Sequence, residues 1–334
     1  MNVHQEPLVS VVTPVYNGAA DLTQCIESVL MQTYSNWEYV IVNNNSTDGT
    51  LEIAERYARL DHRIHVYSND VLLDIIANHN KAFRLISAAS KYCKVVSADD
   101  WLFPECLARM VSLAEANPSV GIVGSYQLSG GGKDWRNWCV KWDQVPYPST
   151  VVPGRDVGRV YMFGGPDVFG SPTSLLYRAD LVRKQDRFYP NSTAEADTSA
   201  CCRCLQNTDY GFVHQVLSYE RVHDARMTTR SQSLNAYLSS NIADLLEYGG
   251  TFLSANERER RFNELMAQYY EFLAISALKL RDRQFWIYHK KRLRELGYPL
   301  RYIHLGGAAC MTVLGLLLNP KHTIELLTRS RQRS

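Results

Sequence analysis

Short aliphatic runs alternate with segments of helical periodicity through the first part of this 334-residue chain. Strands are predicted near residues 8–13, 37–42, 64–67, 93–96 and 120–123, and helices near residues 19–32, 50–59, 76–89 and 104–116. When a helix connects two strands of the same sheet, the two strands are parallel and the helix packs on the sheet. The alternation therefore limits the folds that this chain can adopt. It predicts an α/β fold with a mainly parallel sheet flanked by helices.

The alternation stops after residue 123. Residues 125–152 contain three consecutive glycines and three tryptophans, which indicates a long loop or an irregular hairpin. Towards the end of the chain the periodicity is helical, and Ser254 with Glu257 fits a helix capping box. We therefore expect an α/β domain over residues 1–230 and a helical extension over residues 231–334.

Polar clusters follow three of the predicted strands. They cover residues 13–18, 43–50 and 97–100. Ligands of open α/β sheets bind at the carboxyl ends of the strands, near the point where the strand order reverses. We expect the three clusters to converge on one edge of the sheet and to form a binding site there.

The third cluster ends in two adjacent carboxylates, Asp99 and Asp100. Neighbouring acids repel each other, so a turn that holds both is easiest to understand if a cation or hydrogen-bond donors occupy it. Oxygen ligands of this kind suit Mg²⁺ or Mn²⁺ bound to a diphosphate. A pair of helix-capping acids before Pro104 explains the same residues about as well.

Four ordered motifs together resemble family 2 of the inverting glycosyltransferases. They are LVSVVTPVYNG at residues 8–18, SVLMQTY at 28–34, NSTDGT at 45–50 and ADD at 98–100. The resemblance covers roughly residues 8–226 and implies the glycosyltransferase A fold. It also implies transfer of a sugar from a nucleotide-sugar donor to a hydroxyl of a saccharide or lipid-linked acceptor, as in polysaccharide biosynthesis. The chain lacks several long apolar spans and a QxxRW motif, which argues against a processive synthase.

The resemblance assigns roles on the donor side. Pro14, Tyr16 and Asn44 are expected around the donor base, and Asp99 is expected near the ribose. Asp100 is expected to coordinate the metal, Mn²⁺ or Mg²⁺. The base is expected to stack or pack near Tyr16.

On the acceptor side, Asp197 matches the acidic motif of the family at the start of a helix. There the carboxylate takes the proton of an acceptor hydroxyl as that hydroxyl attacks the anomeric carbon. The alternative is a structural acid that the helix dipole favours at an N-terminus. The order of the motifs favours the general base.

Further polar residues are weaker candidates. His223 resembles a late histidine that reaches the metal or the diphosphate in related enzymes, although a lone histidine is often structural. Arg221 and Arg226 are candidate phosphate contacts. Ser171 lies where the family makes acceptor contacts.

The chain also departs from the family pattern. Asn43 and Asn44 stand where aspartates are usual, and Ser97 stands where an acid is frequent. An amide still accepts a hydrogen bond from a base but carries no charge, so the identity of the donor nucleotide is left open. A nucleotide-binding or scaffold protein that has kept this fold and lost transfer is the alternative hypothesis.

The charge is unevenly distributed. Residues 279–334 contain 12 basic and 3 acidic residues, whereas the whole chain has a net charge of +2, and we expect no nucleic-acid partner. Within this basic region the apolar stretch 305–318 is too short and too rich in glycine to span a membrane. An interfacial helix pair attracted to anionic lipid fits the pattern, as does a helical subdomain packed on the body or in a homodimer.

The eight scattered cysteines and the absence of a secretory signal pattern predict a cytoplasmic protein. The basic region adds the expectation that the protein is peripheral on the inner face of the membrane.

Overall fold

The computed structural model describes residues 6–131, 139–141, 150–165, 168–191, 193, 195–222 and 234–318. The chain divides into two compact units, Met1–Thr229 and Arg230–Ser334. The first unit contains the sheet, and the described part of the second unit is helical.

A mixed sheet forms the centre of the first unit. Its strands are β1 Val9–Val15, β2 Trp37–Asn43, β3 Ile64–Ser68, β4 Tyr92–Val95, β5 Trp101–Leu102, β6 Val120–Gly130, β7 Cys139–Lys141, β8 Val151–Val152, β9 Leu175–Arg178 and β10 Asp209–Arg221. The order across the sheet is β3-β2-β1-β4-β9-β6-β10-β5, with β7 paired to β6 and β8 paired to β10. Strands β1 to β4 are parallel, β9 is antiparallel to both of its neighbours, and β10 is parallel to β6.

Helices connect these strands. They are α1 Leu22–Leu30, α2 Thr50–Leu60, α3 Ile75–Arg84, α4 Cys106–Ala116, α5 Gly154–Met162, α6 Ala179–Arg183 and α7 Ala196–Leu205, and a 3₁₀ turn covers Pro172–Ser174. In α1 the buried residues Leu22, Cys25, Ile26 and Val29 recur at helical spacing, which places one apolar face in the core. This architecture confirms the predicted α/β fold with a mainly parallel sheet.

The sheet extends beyond the predicted strands. Strand β6 continues to Gly130 and pairs with β7 in an antiparallel hairpin, which is the second of the two alternatives predicted for residues 125–152. Gln127 and Ser129 are buried in this strand and bond to Ser171 and Glu220, respectively. Because these buried residues are polar, hydrophobic periodicity does not reveal the second half of the strand.

The second unit contains four helices in its described residues. They are α8 Tyr237–Phe252, α9 Ala255–Leu278, α10 Arg283–Glu295 and α11 Tyr302–Leu318. The predicted capping box is present at the start of α9, where Ser254 and Glu257 satisfy each other's backbone amides. The hydroxyl of Tyr269 lies 2.7 Å from Nδ1 of the buried His289. Among the described residues, no helix combines the length and the apolar character needed to cross a membrane.

Candidate active site

The carboxyl ends of β1, β2 and β4 meet at one edge of the sheet, because β1 pairs in parallel with β2 on one side and with β4 on the other. The backbone amide of Asn44 donates to the carbonyl of Val15 at 2.8 Å, and the amide of Val96 donates to the carbonyl of Val12 at 3.0 Å. The hydroxyl of Thr13 also donates to the carbonyl of Val96 at 2.8 Å. The three polar clusters therefore leave the sheet side by side, as the sequence predicts.

The loops after β1 and β2 are hydrogen-bonded to each other. The amide of Asn17 donates to the hydroxyl of Ser46 at 3.0 Å, and the Asn17 side-chain oxygen accepts from the amide of Thr47 at 2.8 Å. The amide of Gly18 donates to the hydroxyl of Thr50 at 2.8 Å. Asn17 has a φ of 49°, a left-handed conformation that asparagine tolerates better than most residues. The two loops form one hydrogen-bonded unit at the edge of the sheet.

Asp48 belongs to the same unit and is held as a carboxylate. It accepts hydrogen bonds from the hydroxyl and amide of Thr50 and from the amide of Ala19. Partial desolvation alone would raise the pKa of Asp48, but these hydrogen bonds outweigh it and lower that pKa.

Two of the residues expected around the donor base lie on or beside β1. Pro14 is buried within the strand, whereas Tyr16 follows its end with 47% of its surface exposed. An exposed aromatic ring at this position offers a face for a planar base.

The side chain of Asn44 is 2% exposed and engaged by the loop after β3. Its oxygen accepts from Asn69 Nδ2 at 2.7 Å and from the amide of Leu73 at 2.9 Å, and its Nδ2 donates to the carbonyl of Leu73 at 2.9 Å. Asn69 also donates to Asn78, and its own oxygen is buried without a partner. Asn44 therefore shapes the edge by fixing this loop.

The acidic pair lies on a tight turn between β4 and β5. The amide of Asp100 donates to the carbonyl of Ser97 at 3.0 Å, which closes the turn. Asp99 is half-buried, and Asp100 is only 2% exposed. One Asp100 oxygen accepts from the hydroxyl of Thr173 at 2.7 Å, and the other accepts from the amide of Arg221 at 3.0 Å. Two hydrogen bonds from separate segments thus orient this buried carboxylate.

The Arg221 side chain connects the end of β10 to the start of α1. Its Nε lies 3.2 Å from an oxygen of Asp21 and 3.2 Å from the carbonyl of Asp99, and a terminal nitrogen donates to Gln24 at 2.8 Å. The guanidinium also lies 5.4 Å from the ring centroid of Trp101. Arg221, predicted as a phosphate contact, is thus bound to protein groups around the acidic turn.

Helix α1 and the residues directly after it support the segment that follows the acidic pair. The hydroxyl of Ser28 accepts from the amide of Leu102 at 3.1 Å. The Gln32 side chain donates to the carbonyl of Phe103 at 2.9 Å and accepts from the amide of Leu107 at 3.0 Å. Ser28 and Gln32, which belong to the second motif of the resemblance, therefore contribute to the position of the turn.

Asp197 lies in the first turn of α7 and is half-buried. Burial raises the pKa of both Tyr177 and Tyr189, and the negative charge of Asp197 adds to the effect. This places the carboxylate near two tyrosines, and the Tyr189 hydroxyl is buried without a hydrogen-bond partner. The ring of Tyr189 stacks on that of His79 with centroids 5.5 Å apart.

The remaining candidates are separately placed. Ser171 exchanges hydrogen bonds with the side chain of Gln127 at 2.8 and 3.0 Å. His223 and Arg226 lie outside the described residues.

Two contacts within the site carry no signal in the sequence. Thr173 donates to Asp100 although the two residues are 73 positions apart, and Asp21 pairs with Arg221 across 200 positions. The pairing of β4 with β9 and of β5 with β10 brings these segments together.

The sequence model described as Glycosyl transferase family 2 matches residues 10–185, more than half of the chain. The chain belongs to glycosyl transferase family 2. A similar relative is the putative glycosyltransferase EpsE of Bacillus subtilis (strain 168), which is 36% identical over 123 residues. That alignment covers 36% of this chain and 44% of EpsE, so the chain spans less than half of this relative.

Solved structures of glycosyltransferases share the fold of this family 2 chain. Residues 1–349 of S. aureus TarS, crystallised with UDP-GlcNAc, align with a TM-score of 0.62 at 16% identity, covering 86% of this chain and 80% of TarS. The mannosyltransferase PcManGT from Pyrobaculum calidifontis, in complex with GDP-Man and Mn²⁺, aligns with a TM-score of 0.54 at 16% identity, covering 93% and 88% of the two chains. These likenesses establish the shared fold.

Proposed function

We propose that this chain transfers a sugar, with inversion and the help of a divalent cation, from a nucleotide-sugar donor to a hydroxyl of a saccharide or lipid-linked acceptor. The observation that carries the proposal is the Asp100 carboxylate, buried and oriented by two hydrogen bonds at the edge where the polar loops meet. The family supports the class of reaction. The complexes of TarS with UDP-GlcNAc and of PcManGT with GDP-Man support a nucleotide-sugar donor.

On the donor side, the exposed ring of Tyr16 would pack against the base. Asn44 would shape the base pocket through its bonds to the loop at Leu73. Asp99, half-buried next to Asp100 in the acidic turn, would approach the ribose. Pro14, buried in β1 two residues before Tyr16, would lie near the base and help to fix the course of the chain there.

The residues of the acidic turn fit a hard divalent cation. Among the described residues no three His, Cys, Asp or Glu side chains converge on a metal site. Mg²⁺ and ions like it need fewer protein ligands than that, because they bind through one or two carboxylates together with substrate phosphates and water. Asp100 would hold Mn²⁺ or Mg²⁺, with His223 as a further proposed ligand. When bound, the cation would neutralise charge on the departing diphosphate.

Asp197 is the proposed general base. Its carboxylate would take the proton from the acceptor hydroxyl as the hydroxyl oxygen bonds to the anomeric carbon. The bond between that carbon and the diphosphate oxygen would break, and the nucleoside diphosphate would leave with the electron pair. Attack from the face opposite the leaving group inverts the anomeric configuration. Ser171, Arg221 and Arg226 are proposed acceptor or phosphate contacts.

The helical unit is proposed to contact an anionic membrane surface, which would bring the site to a lipid-linked acceptor on the cytoplasmic side. In α11 the side chains of Ile303, Met311 and Leu318 are 88%, 70% and 83% exposed. In α10 the side chains of Lys290 and Lys291 are exposed as well. A helical unit that has both exposed apolar residues and exposed lysines suits the interface of an anionic bilayer.

A second candidate function is nucleotide binding without transfer. It is favoured by the buried amides of Asn43 and Asn44, which stand where aspartates are usual in the resemblance and which bond to protein groups. The retained carboxylates Asp99, Asp100 and Asp197 favour the transferase.

The roles are tested by measuring donor turnover with Mn²⁺ for the native chain and single variants. Asp197→Asn is expected to lower the rate by about 10²- to 10⁴-fold, the usual contribution of a general base. Asp100→Asn is expected to raise the Mn²⁺ concentration needed for half-maximal rate. Asp156→Asn is the matched control, because it removes an exposed acid from the first turn of α5. If Asp197→Asn behaves like this control, Asp197 is only a helix-terminal acid.

A further inference from the structure

Thr173 is fully buried in the short turn that precedes β9. Its hydroxyl donates to Asp100 Oδ2 at 2.7 Å and accepts from the amide of Ser97 at 3.1 Å. A hydroxyl has one proton and two lone pairs, so both bonds form at once, with the proton towards the carboxylate. One side chain thus joins the first and last residues of the acidic turn.

The backbone of Thr173 is anchored as well. Its carbonyl accepts from Nζ of Lys94 at 2.7 Å, and Lys94 is itself fully buried in β4. A lysine in a buried strand needs a hydrogen-bond acceptor, because leaving its amine unpaired there is costly. By binding the Thr173 carbonyl, Lys94 fixes the backbone of this residue, and the Thr173 hydroxyl is held within reach of the Asp100 carboxylate.

Asp100 is held from two directions. Thr173 binds one oxygen, and the amide of Arg221 binds the other at 3.0 Å. The two donors belong to different segments, so together they define the plane of the carboxylate as well as its position. A carboxylate offers about four acceptor positions, so these two bonds do not by themselves prevent coordination of a cation.

We infer that Thr173 is a positioning residue that orients Asp100 towards the cation of the donor complex. It acts through Asp100 and touches no substrate, since its side chain has no exposed surface. This inference rests on the proposed function, in which Asp100 holds the cation. Partners that orient a metal ligand typically contribute 10- to 100-fold in metal affinity.

The experiment measures Mn²⁺ binding by electron paramagnetic resonance, in the presence of UDP and separately of GDP. Thr173→Val keeps the shape of the side chain and removes the hydroxyl, and we expect it to weaken Mn²⁺ binding by about 10- to 100-fold. Thr173→Ser keeps the hydroxyl and should bind Mn²⁺ nearly as the native chain does. If Thr173→Val does not fold, the Mn²⁺ affinities of Thr173→Ala and Thr173→Ser are compared instead, because these variants also differ in the hydroxyl.

Ser174→Ala is the matched control. The Ser174 hydroxyl lies 2.8 Å from the carbonyl of Ser171 and 3.2 Å from that of Phe169, and its single proton donates to one of them at a time or is shared between them. Removing the Ser174 hydroxyl tests whether a general loosening of the turn is enough to weaken Mn²⁺ binding. We expect the Mn²⁺ affinity of Ser174→Ala to equal that of the native chain. If Ser174→Ala weakens Mn²⁺ binding as much as Thr173→Val does, or if Thr173→Val binds Mn²⁺ with native affinity, the inference about Thr173 is overturned and the proposed function is not. If the native chain fails to bind Mn²⁺ both with UDP and with GDP, the proposed cation role of Asp100 fails together with the inference.

Discussion

Replacing Asn44 by aspartate, the residue usual at this position in the resemblance, is expected to destabilise the protein. In the native chain Asn44 Nδ2 donates to the carbonyl of Leu73 at 2.9 Å, in a position that is 2% exposed. In Asn44→Asp an oxygen replaces Nδ2, so two acceptors face each other. Either the new carboxyl keeps a proton between them, or the carbonyl of Leu73 loses its buried donor.

Both outcomes have a calculable cost. A buried acceptor without its partner costs about 1–3 kcal/mol. Keeping a proton at pH 7 on a group with an unfolded pKa of about 3.9 costs about 1.4 kcal/mol per pH unit, or about 4 kcal/mol. Because the protein adopts the less costly of the two states, we expect Asn44→Asp to lower the free energy of unfolding at pH 7 by about 1–3 kcal/mol. Because the pKa of the new carboxyl is raised by folding, the loss shrinks as pH falls, to about 1–2 kcal/mol at pH 5.

The matched control is Asn43→Asp, in the neighbouring and equally buried position. Asn43 Nδ2 donates to the hydroxyl of Ser68 at 3.1 Å, and its oxygen accepts from the amide of Ser46 at 3.2 Å. The Ser68 hydroxyl can rotate and donate to a carboxylate, so we expect a loss below about 1 kcal/mol. Urea denaturation at pH 5 and pH 7 measures both variants. Equal stability of the two variants at pH 7, or a penalty for Asn44→Asp that does not fall at pH 5, would refute the reasoning.

Two predictions concern the helical unit. Burial lowers the pKa of His289 to about 4, so folding favours the neutral ring. The free energy of unfolding is therefore highest above the unfolded pKa of about 6.5, and it falls by about 2 kcal/mol at pH 5. Hydrogen exchange of the α9 amides should detect this loss, and an equal loss in His289→Gln would contradict the prediction. The chain should co-sediment with phosphatidylglycerol vesicles and be released by salt. Met311→Asp should abolish this binding, whereas Leu60→Asp, which alters an equally exposed residue of α2, should leave it unchanged. Salt-insensitive self-association through the Met311 face would instead indicate a homodimer.

The sequence predicts the first half of the fold well, because β1 to β4 and the helices between them are strongly patterned. Strand β9 is only four residues long, and β10 mixes polar and apolar residues, so neither strand stands out in the sequence. Their side chains meet partners far along the chain, and periodicity reports only local burial.

The candidate site shows the same limit. Tyr16 and the acidic pair are visible because each directly follows an apolar run. The partners that orient the site are not visible. Thr173 reaches Asp100 only after β4 pairs with β9, and Asn44 bonds to a loop that begins 25 residues later. Hydrogen bonds between distant segments leave no pattern in one sequence, so the sequence identifies candidate site residues and the structure identifies the groups that hold them in place.

The most direct test of the central claim is the release of nucleoside diphosphate from a panel of UDP-, GDP-, dTDP- and CDP-sugars, with saccharide and lipid-linked acceptors, in Mn²⁺ and in EDTA. We predict release with at least one donor that depends on Mn²⁺ and that falls sharply in Asp100→Asn at the Mn²⁺ concentration that gives the native chain half its maximal rate. Metal-dependent binding of a nucleotide without release from any donor would contradict the transferase and support the second candidate function.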